Sequence, residues 1–318
     1  MIDKAQIARA AGILRRGGLV AFPTETVYGL GAVATNAAAV LRIFEVKQRP
    51  RTSPLIVHVD SEQMAAQYAA AWPALAHELA ERFWPGPLTL VLPKRPSIPD
   101  EVTAGLQTVG LRMPAHPIAL ALIAATELPL AAPSANRFTQ LSPTSAQHVF
   151  NGLGEAVDMI LDGGSTPVGI ESTVLSLATV VPTLLRPGMI SREEIEMVAG
   201  DVSEAAAPGT PPAQSGSSGA AHPSPGMHHK HYSPRTPLLL IDAGEQPVGG
   251  RGVVLSIRPG ARGVRQMPAG PHGYAAELYA TLHELDGEGL DWIAVERVPE
   301  GDAWAGIRDR LARAASQA

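Results

Sequence analysis

Residues 19–59 read LVAFPTETVYGLGAVATNAAAVLRIFEVKQRPRTSPLIVHV. The stretch runs from an apolar strand through a polar loop, a helix and a basic loop to a second apolar strand. Residues 19–22 and 55–59 have the short apolar pattern of buried strands. Asn36 stands where an N-cap belongs, Val40, Ile43, Phe44 and Lys47 then share one helical side, and Pro50 follows the helix end. Upstream, Ile7, Ala11 and Leu14 define another helical face, closed by Gly17-Gly18. Downstream, strands are expected at 88–92, 109–113, 128–132, 159–162, 173–177 and 183–186, and helices around 64–71 and 75–83. Ser191 and Glu194 have the spacing of a capping box for a further helix. Strands separated by helices predict an α/β domain with a mixed sheet.

That domain ends before a change of composition. Of the twenty residues 207–226, eighteen are Ala, Pro, Gly, Ser or Thr, too few apolar side chains for a packed face. The expected organisation is a domain over 1–200, a linker over 201–236 and a small domain over 237–318. The last reads β-β-α-β-α, with strands at 238–241, 253–257 and 292–295 and a final helix at 305–315, and predicts a small Rossmann-like unit. Tyr274, Leu278, Leu282 and Leu285 form one stripe of its first helix, read as core rather than as a partner surface.

Composition narrows the function classes. The 318 residues carry 25 Lys and Arg against 30 Asp and Glu, a net charge of −5, with 45% hydrophobic residues. Neither half is basic, which argues against stable binding to nucleic acid through phosphate neutralisation. Cysteine is absent, which excludes disulfides, Cys-ligated zinc, iron–sulfur clusters and thiol nucleophiles. The N-terminal residues lack an apolar leader core, and the longest apolar run, 118–125, is far short of the ~18 residues that span a bilayer. A cytoplasmic protein without a membrane partner is expected.

Several motifs are weighed against plainer readings. Gly29-Leu-Gly31-Ala-Val-Ala34 matches G-x-G-x-x-A, but no acidic residue stands about 20 positions on, so it reads as a glycine-permitted turn. His228, His229 and His231 could ligate a metal, or simply lie in a solvated linker. Polar loops at strand ends are more informative, because ligands collect there in α/β sheets. Arg112 lies inside the apolar strand GLRMP and needs a carboxylate or phosphate, either a ligand's or an internal one. Glu25 and Glu171 occupy polar loops and are candidate partners. Lys47, Arg49 and Arg51 fit either an anion site or a solvated helix end.

Taken together, FPTETVYGLG, KQRPRTSPLIVHV, FWPGPLTLVL, GLRMP, APSAN, ESTV and LRPG, in this order, resemble the YrdC-like family. The later SPGMHHKHYSP and the small α/β unit resemble the long, two-domain form of its threonylcarbamoyl-AMP synthases. The resemblance implies a YrdC-like twisted mixed sheet and an enzyme of the nucleotidyltransferase type. The implied reaction joins L-threonine, bicarbonate and ATP into L-threonylcarbamoyl-AMP and releases pyrophosphate. The product would pass to the machinery that modifies the tRNA adenosine beside the anticodon. By the same resemblance, Thr26, His58, Arg112, Ala132 and Ser172 would line the threonine site. Lys47, Arg49, Ser53, Thr108, Ser134, Asn136, Ser142, Arg186 and Tyr232 would face ATP, with Tyr232 bringing the linker back as a partial lid. Lys47 and Arg49 would be the catalytic cations, Mg2+ would arrive with ATP, and no protein side chain is assigned to a metal. The alternative is a YrdC-like nucleotide- or RNA-binding module that makes no adenylate.

Overall fold

The structure is a computed structural model and describes residues 3–205, 232–247, 249–259 and 263–315. The segment 207–226 and His228, His229 and His231 therefore lie outside the described residues.

The first helix, α1 (Lys4–Arg15), is capped by the Asp3 carboxylate and buries Ile7, Ala10, Ala11 and Leu14. Gly17 closes it with φ of 83°. Strands β1 (Val20–Pro23) and β2 (Tyr28–Val33) form an antiparallel hairpin, with Val20 opposite Gly31. The sequence reading placed a turn where β2 lies. The glycines have a packing reason instead: a Cβ on Gly31 would come within 2.7 Å of the Phe22 ring across the ladder. Helix α2 (Ala37–Lys47) is capped by Asn36 and buries Val40, Ile43, Phe44 and Lys47, the face expected from the sequence.

Strand β3 (Ile56–His58) and helices α3 (Glu62–Ala66) and α4 (Ala74–Phe83) follow. Next come β4 (Leu88–Pro93), the short α5 (Asp100–Thr103), β5 (Thr108–Arg112), α6 (Pro117–Thr126) and β6 (Leu130–Ala131). The apolar run at 118–125 forms most of α6 and packs by Ala119, Leu122 and Ile123. Helix α7 (Ala146–Leu153) precedes β7 (Met159–Ile160), β8 (Thr173–Ser176) and β9 (Thr183–Arg186). Helix α8 (Arg192–Ala199) opens with the Ser191–Glu194 capping box, and β10 (Ser203–Glu204) completes the first unit. Its ten strands run β10-β9-β8-β4-β5-β3-β6-β2-β1-β7 in one mixed sheet. The β3–β5 and β4–β8 pairs are parallel, whereas β4–β5 and β3–β6 are antiparallel.

The second unit comprises β11 (Leu238–Ile241), β12 (Gly252–Ser256), β13 (Val264–Gln266), α9 (Pro271–Asp286), β14 (Trp292–Glu296) and α10 (Ala305–Ala315). Its strands are all parallel in the order β11-β14-β12-β13. The three-residue β13 adds to the expected β-β-α-β-α pattern and is too short for a periodicity signal. Tyr274, Leu278, Leu282 and Leu285 are buried, as a core stripe requires.

The second core does not stop at its own unit. The cluster that holds Leu278, Leu282 and Leu311 also takes in Val27, Leu141 and Ile170 of the first. Backbones meet closely at this seam. A Cβ on Gly169 would lie 2.1 Å from the Ala275 carbonyl oxygen, and one on Gly306 would lie 2.7 Å from that of Gly188. The small unit thus rests on the loops before β8 and after β9.

Candidate active site

Those loops border a cavity. The β1–β2 loop contributes Thr24 and Thr26, β3 His58 and β5 Arg112. The loop after β6 contributes Ala132, Pro133 and Ser134, the entry to β8 Glu171 and Ser172, and β9 Arg186. Arg49 follows α2, and Tyr232 arrives from the segment between the two units. Three arginines and one carboxylate therefore line the space among the described residues.

Arg112 has the internal carboxylate partner that its burial requires. Its Nη2 donates to Glu25 Oε1 at 2.6 Å and to Thr26 Oγ1 at 3.0 Å, and its Nε donates to the Gly86 carbonyl at 3.3 Å. Glu25 Oε2 accepts from the Ala115 amide at 2.9 Å, which fixes the carboxylate. The Arg112 Nη1 has no protein partner among the described residues, so a donor remains available at the cavity wall. Beside it, burial and the Arg112 charge push the His58 imidazole down to about 3. His58 is therefore neutral at ordinary pH, and its Nδ1 is buried without a partner among the described residues.

Also on the lining, Arg49 Nη2 donates to Ser53 Oγ at 2.5 Å and to the Pro54 carbonyl at 3.2 Å. Burial lowers this guanidinium to about 10, which leaves it charged. Arg186 donates from Nε and Nη2 to the Ser172 carbonyl at 3.1 and 3.0 Å. Tyr232 is 1% exposed and holds φ of 61°, a conformation that a non-glycine residue keeps only when its surroundings enforce it. Burial raises its phenol pKa, so the side chain is a neutral hydroxyl.

Five residues expected to face ATP do not line this cavity. Lys47 is buried, and its ammonium donates to the carbonyls of Ser134, at 2.6 Å, and Asn136. Burial, and then the Arg49 charge, hold Lys47 well below the ordinary lysine range. Ser53 anchors Arg49. Asn136 ties its own loop by donating to the carbonyls of Arg137 and Gln140, both at 2.8 Å. Ser142 donates to Glu171 Oε1 at 2.5 Å. Thr108 borders a separate small cavity with Thr89 and Val109.

Comparison with known proteins adds the family. Residues 12–188 match a family model described as "Telomere recombination", the Sua5/YciO/YrdC group, and 190–316 match "Threonylcarbamoyl-AMP synthase, C-terminal domain". The threonylcarbamoyl-AMP synthase of Pyrococcus abyssi is 42% identical over an alignment spanning 98% of this chain and 95% of that protein. The Bacillus subtilis threonylcarbamoyl-AMP synthase is also 42% identical, with 98% and 93% spanned.

This chain belongs to the threonylcarbamoyl-AMP synthase family.

Solved structures agree with this membership of the synthase family. The crystal structure of P. abyssi Sua5 complexed with L-threonine superposes with a TM-score of 0.90 at 41% identity, covering 99% of this chain and 95% of that one. The YrdC-like fold and the small C-terminal unit are thus those of the synthase family. The C-terminal contributors to the site escaped the sequence reading. Arg310 and Tyr279 both reach Glu171, at 2.7 and 3.2 Å. A signal existed for Arg310: it stands between Ile307 and Ala314 at helical spacing, on the apolar stripe of α10.

Proposed function

We propose that this chain makes L-threonylcarbamoyl-AMP from L-threonine, bicarbonate and ATP and releases pyrophosphate. The observation that carries the reading is the arginine-lined cavity, with Arg112 retaining a donor at its wall. Threonine's carboxylate pairs with Arg112, while Thr26, His58, Ala132 and Ser172 shape that end. ATP occupies the end bounded by Arg49, Ser134, Arg186 and Tyr232. The P. abyssi relative, solved with L-threonine, supports this substrate.

The chemistry needs charge compensation more than a strong base. Bicarbonate supplies CO2 and hydroxide; threonine's neutral amine attacks the CO2, its proton joins the hydroxide as water, and an N-carboxylate remains. A carboxylate oxygen then attacks the α-phosphorus of ATP, the bond to the bridging oxygen breaks, and pyrophosphate leaves. An anion must approach a polyanion, and fixed cations in a partly desolvated cavity offset the repulsion and hold the line of attack. Arg49 and Arg186 supply that charge. Lys47 acts one step back, holding the carbonyls of Ser134 and Asn136 and so the shape of the loop, and Ser53, Asn136 and Ser142 likewise hold neighbouring groups. Thr108 is left without a role at this wall. Mg2+ would come with the nucleotide and offset phosphate charge; no protein side chain is assigned to it, and both Glu171 carboxylate oxygens accept hydrogen bonds from protein groups.

The adenylate would pass to the enzymes that modify tRNA adenosine, in the cytoplasm, with no stable nucleic-acid complex of its own. Incubation with ATP, Mg2+ and bicarbonate, with and without L-threonine, tests the reading by mass spectrometry. Threonine- and bicarbonate-dependent threonylcarbamoyl-AMP with matching pyrophosphate is expected. ATP binding without that product would instead indicate a nucleotide-binding module.

A further inference from the structure

Arg310 comes from the last helix, yet its side chain is fully buried against the cavity wall of the other unit. Its Nε donates to Glu171 Oε2 at 2.7 Å and its Nη2 to the Glu171 carbonyl at 3.3 Å. Its Nη1 donates to the Pro187 carbonyl at 3.0 Å and to Asp309 Oδ2 at 2.7 Å. The guanidinium carbon lies 5.3 Å from the centre of the Tyr232 ring, within cation–π range. Glu171 in turn is the one acidic side chain lining the cavity among the described residues.

We propose that Arg310 is a positioning residue for ATP: it cancels the negative charge of Glu171 inside the cavity and seats Tyr232 over it. The inference rests on the functional reading above, because it takes ATP to be the ligand of this wall. Without Arg310, Glu171 is a buried anion short of its counter-charge, facing the space that a triphosphate enters. Such a charge repels the ligand strongly, since little water screens it. The small unit then contributes electrostatics to the reaction and not only a docking surface.

A plain docking role predicts something different, and calorimetry of ATP binding separates the two. Arg310→Gln is expected to weaken ATP binding at least tenfold, more at low salt than at high salt, with threonine binding changed less than threefold. Adding Glu171→Gln is expected to restore ATP affinity to within about threefold of wild type, because the uncompensated anion is gone. Arg310→Lys, which keeps the charge, is expected to bind ATP better than Arg310→Gln. Should Arg310→Gln fail to fold, the double variant is expected to fold and bind. A double variant no better than the single one would overturn the proposal, as would wild-type ATP affinity in Arg310→Gln. A wild-type chain that binds ATP but makes no adenylate would defeat the functional reading alone, and the same affinities would still decide this one. A wild-type chain that binds no ATP would end both.

Discussion

The Arg112–Glu25 and Arg310–Glu171 pairs are both buried, at 2.6 and 2.7 Å, and each places one member, Arg112 or Glu171, in the lining of one cavity. They differ in what is left over. Arg310 has every guanidinium nitrogen bonded to protein, whereas Arg112 keeps Nη1 without a partner among the described residues. Arg112 also lies wholly within the large unit, whereas Arg310 crosses the seam. A saturated pair sets the charge and shape of a wall, and an unsaturated pair can take a ligand. Burial alone does not distinguish them.

Three changes test the contrast. The largest effect is expected from Arg112→Ala, which should weaken L-threonine binding on the order of 100-fold, about 2.7 kcal/mol, with ATP binding within about threefold. Titration calorimetry with each ligand measures this, and equal losses would erase the distinction between the walls. Next is Gly306→Ala, which touches no charge. Its Cβ would meet the Gly188 carbonyl, so a stability loss of about 1–3 kcal/mol is expected in urea unfolding. ATP binding should suffer more than threonine binding, since Gly188 adjoins the Pro187 carbonyl that Arg310 Nη1 holds. Threonine binding that fell as far as ATP binding would show the two walls to be one mechanical unit.

The smallest effect, read over the single unit from pH 6 to 5, concerns acid, and it belongs to the Arg112 side. His58 is held near 3 in the fold against about 6.5 in the unfolded chain. The unfolded state therefore binds the extra proton between those values, and stability rises with pH across that window. On acidification the contribution is lost as pH falls below 6.5, by up to about 1.4 kcal/mol per pH unit, and the loss ceases near pH 3. Urea unfolding between pH 6 and 5 should show a shallower slope in His58→Gln than in wild type. An unchanged slope would place the acid sensitivity elsewhere.

Much of the molecule was legible in the chain because it is local. Apolar period and cap residues give α2 with its buried face, the Ser191–Glu194 capping box and the stripe of α9, since each depends on neighbours within a few residues. The hairpin of β1 and β2 was not legible: Gly29 and Gly31 look like a turn until the Phe22 ring lies across them. Motif order supplied the family and most of the cavity lining, including Arg49, Arg112, Arg186 and Tyr232. The hydrogen bonds that Lys47, Ser53, Asn136 and Ser142 make to protein groups were not in the motifs, because a polar side chain that bonds to a ligand and one that bonds to a loop have the same letter.

What the sequence by itself determined, then, is the α/β class, the division into two units, the family and the demand that Arg112 find an anion. Tertiary structure alone decided that the anion is Glu25, and that Glu171 is met by Arg310 from a helix 139 residues further on. The reason is that charge pairing acts across space with no period along the chain. Which buried cation meets which buried anion is fixed only when the sheet has ordered its strands and the small unit has closed over their ends.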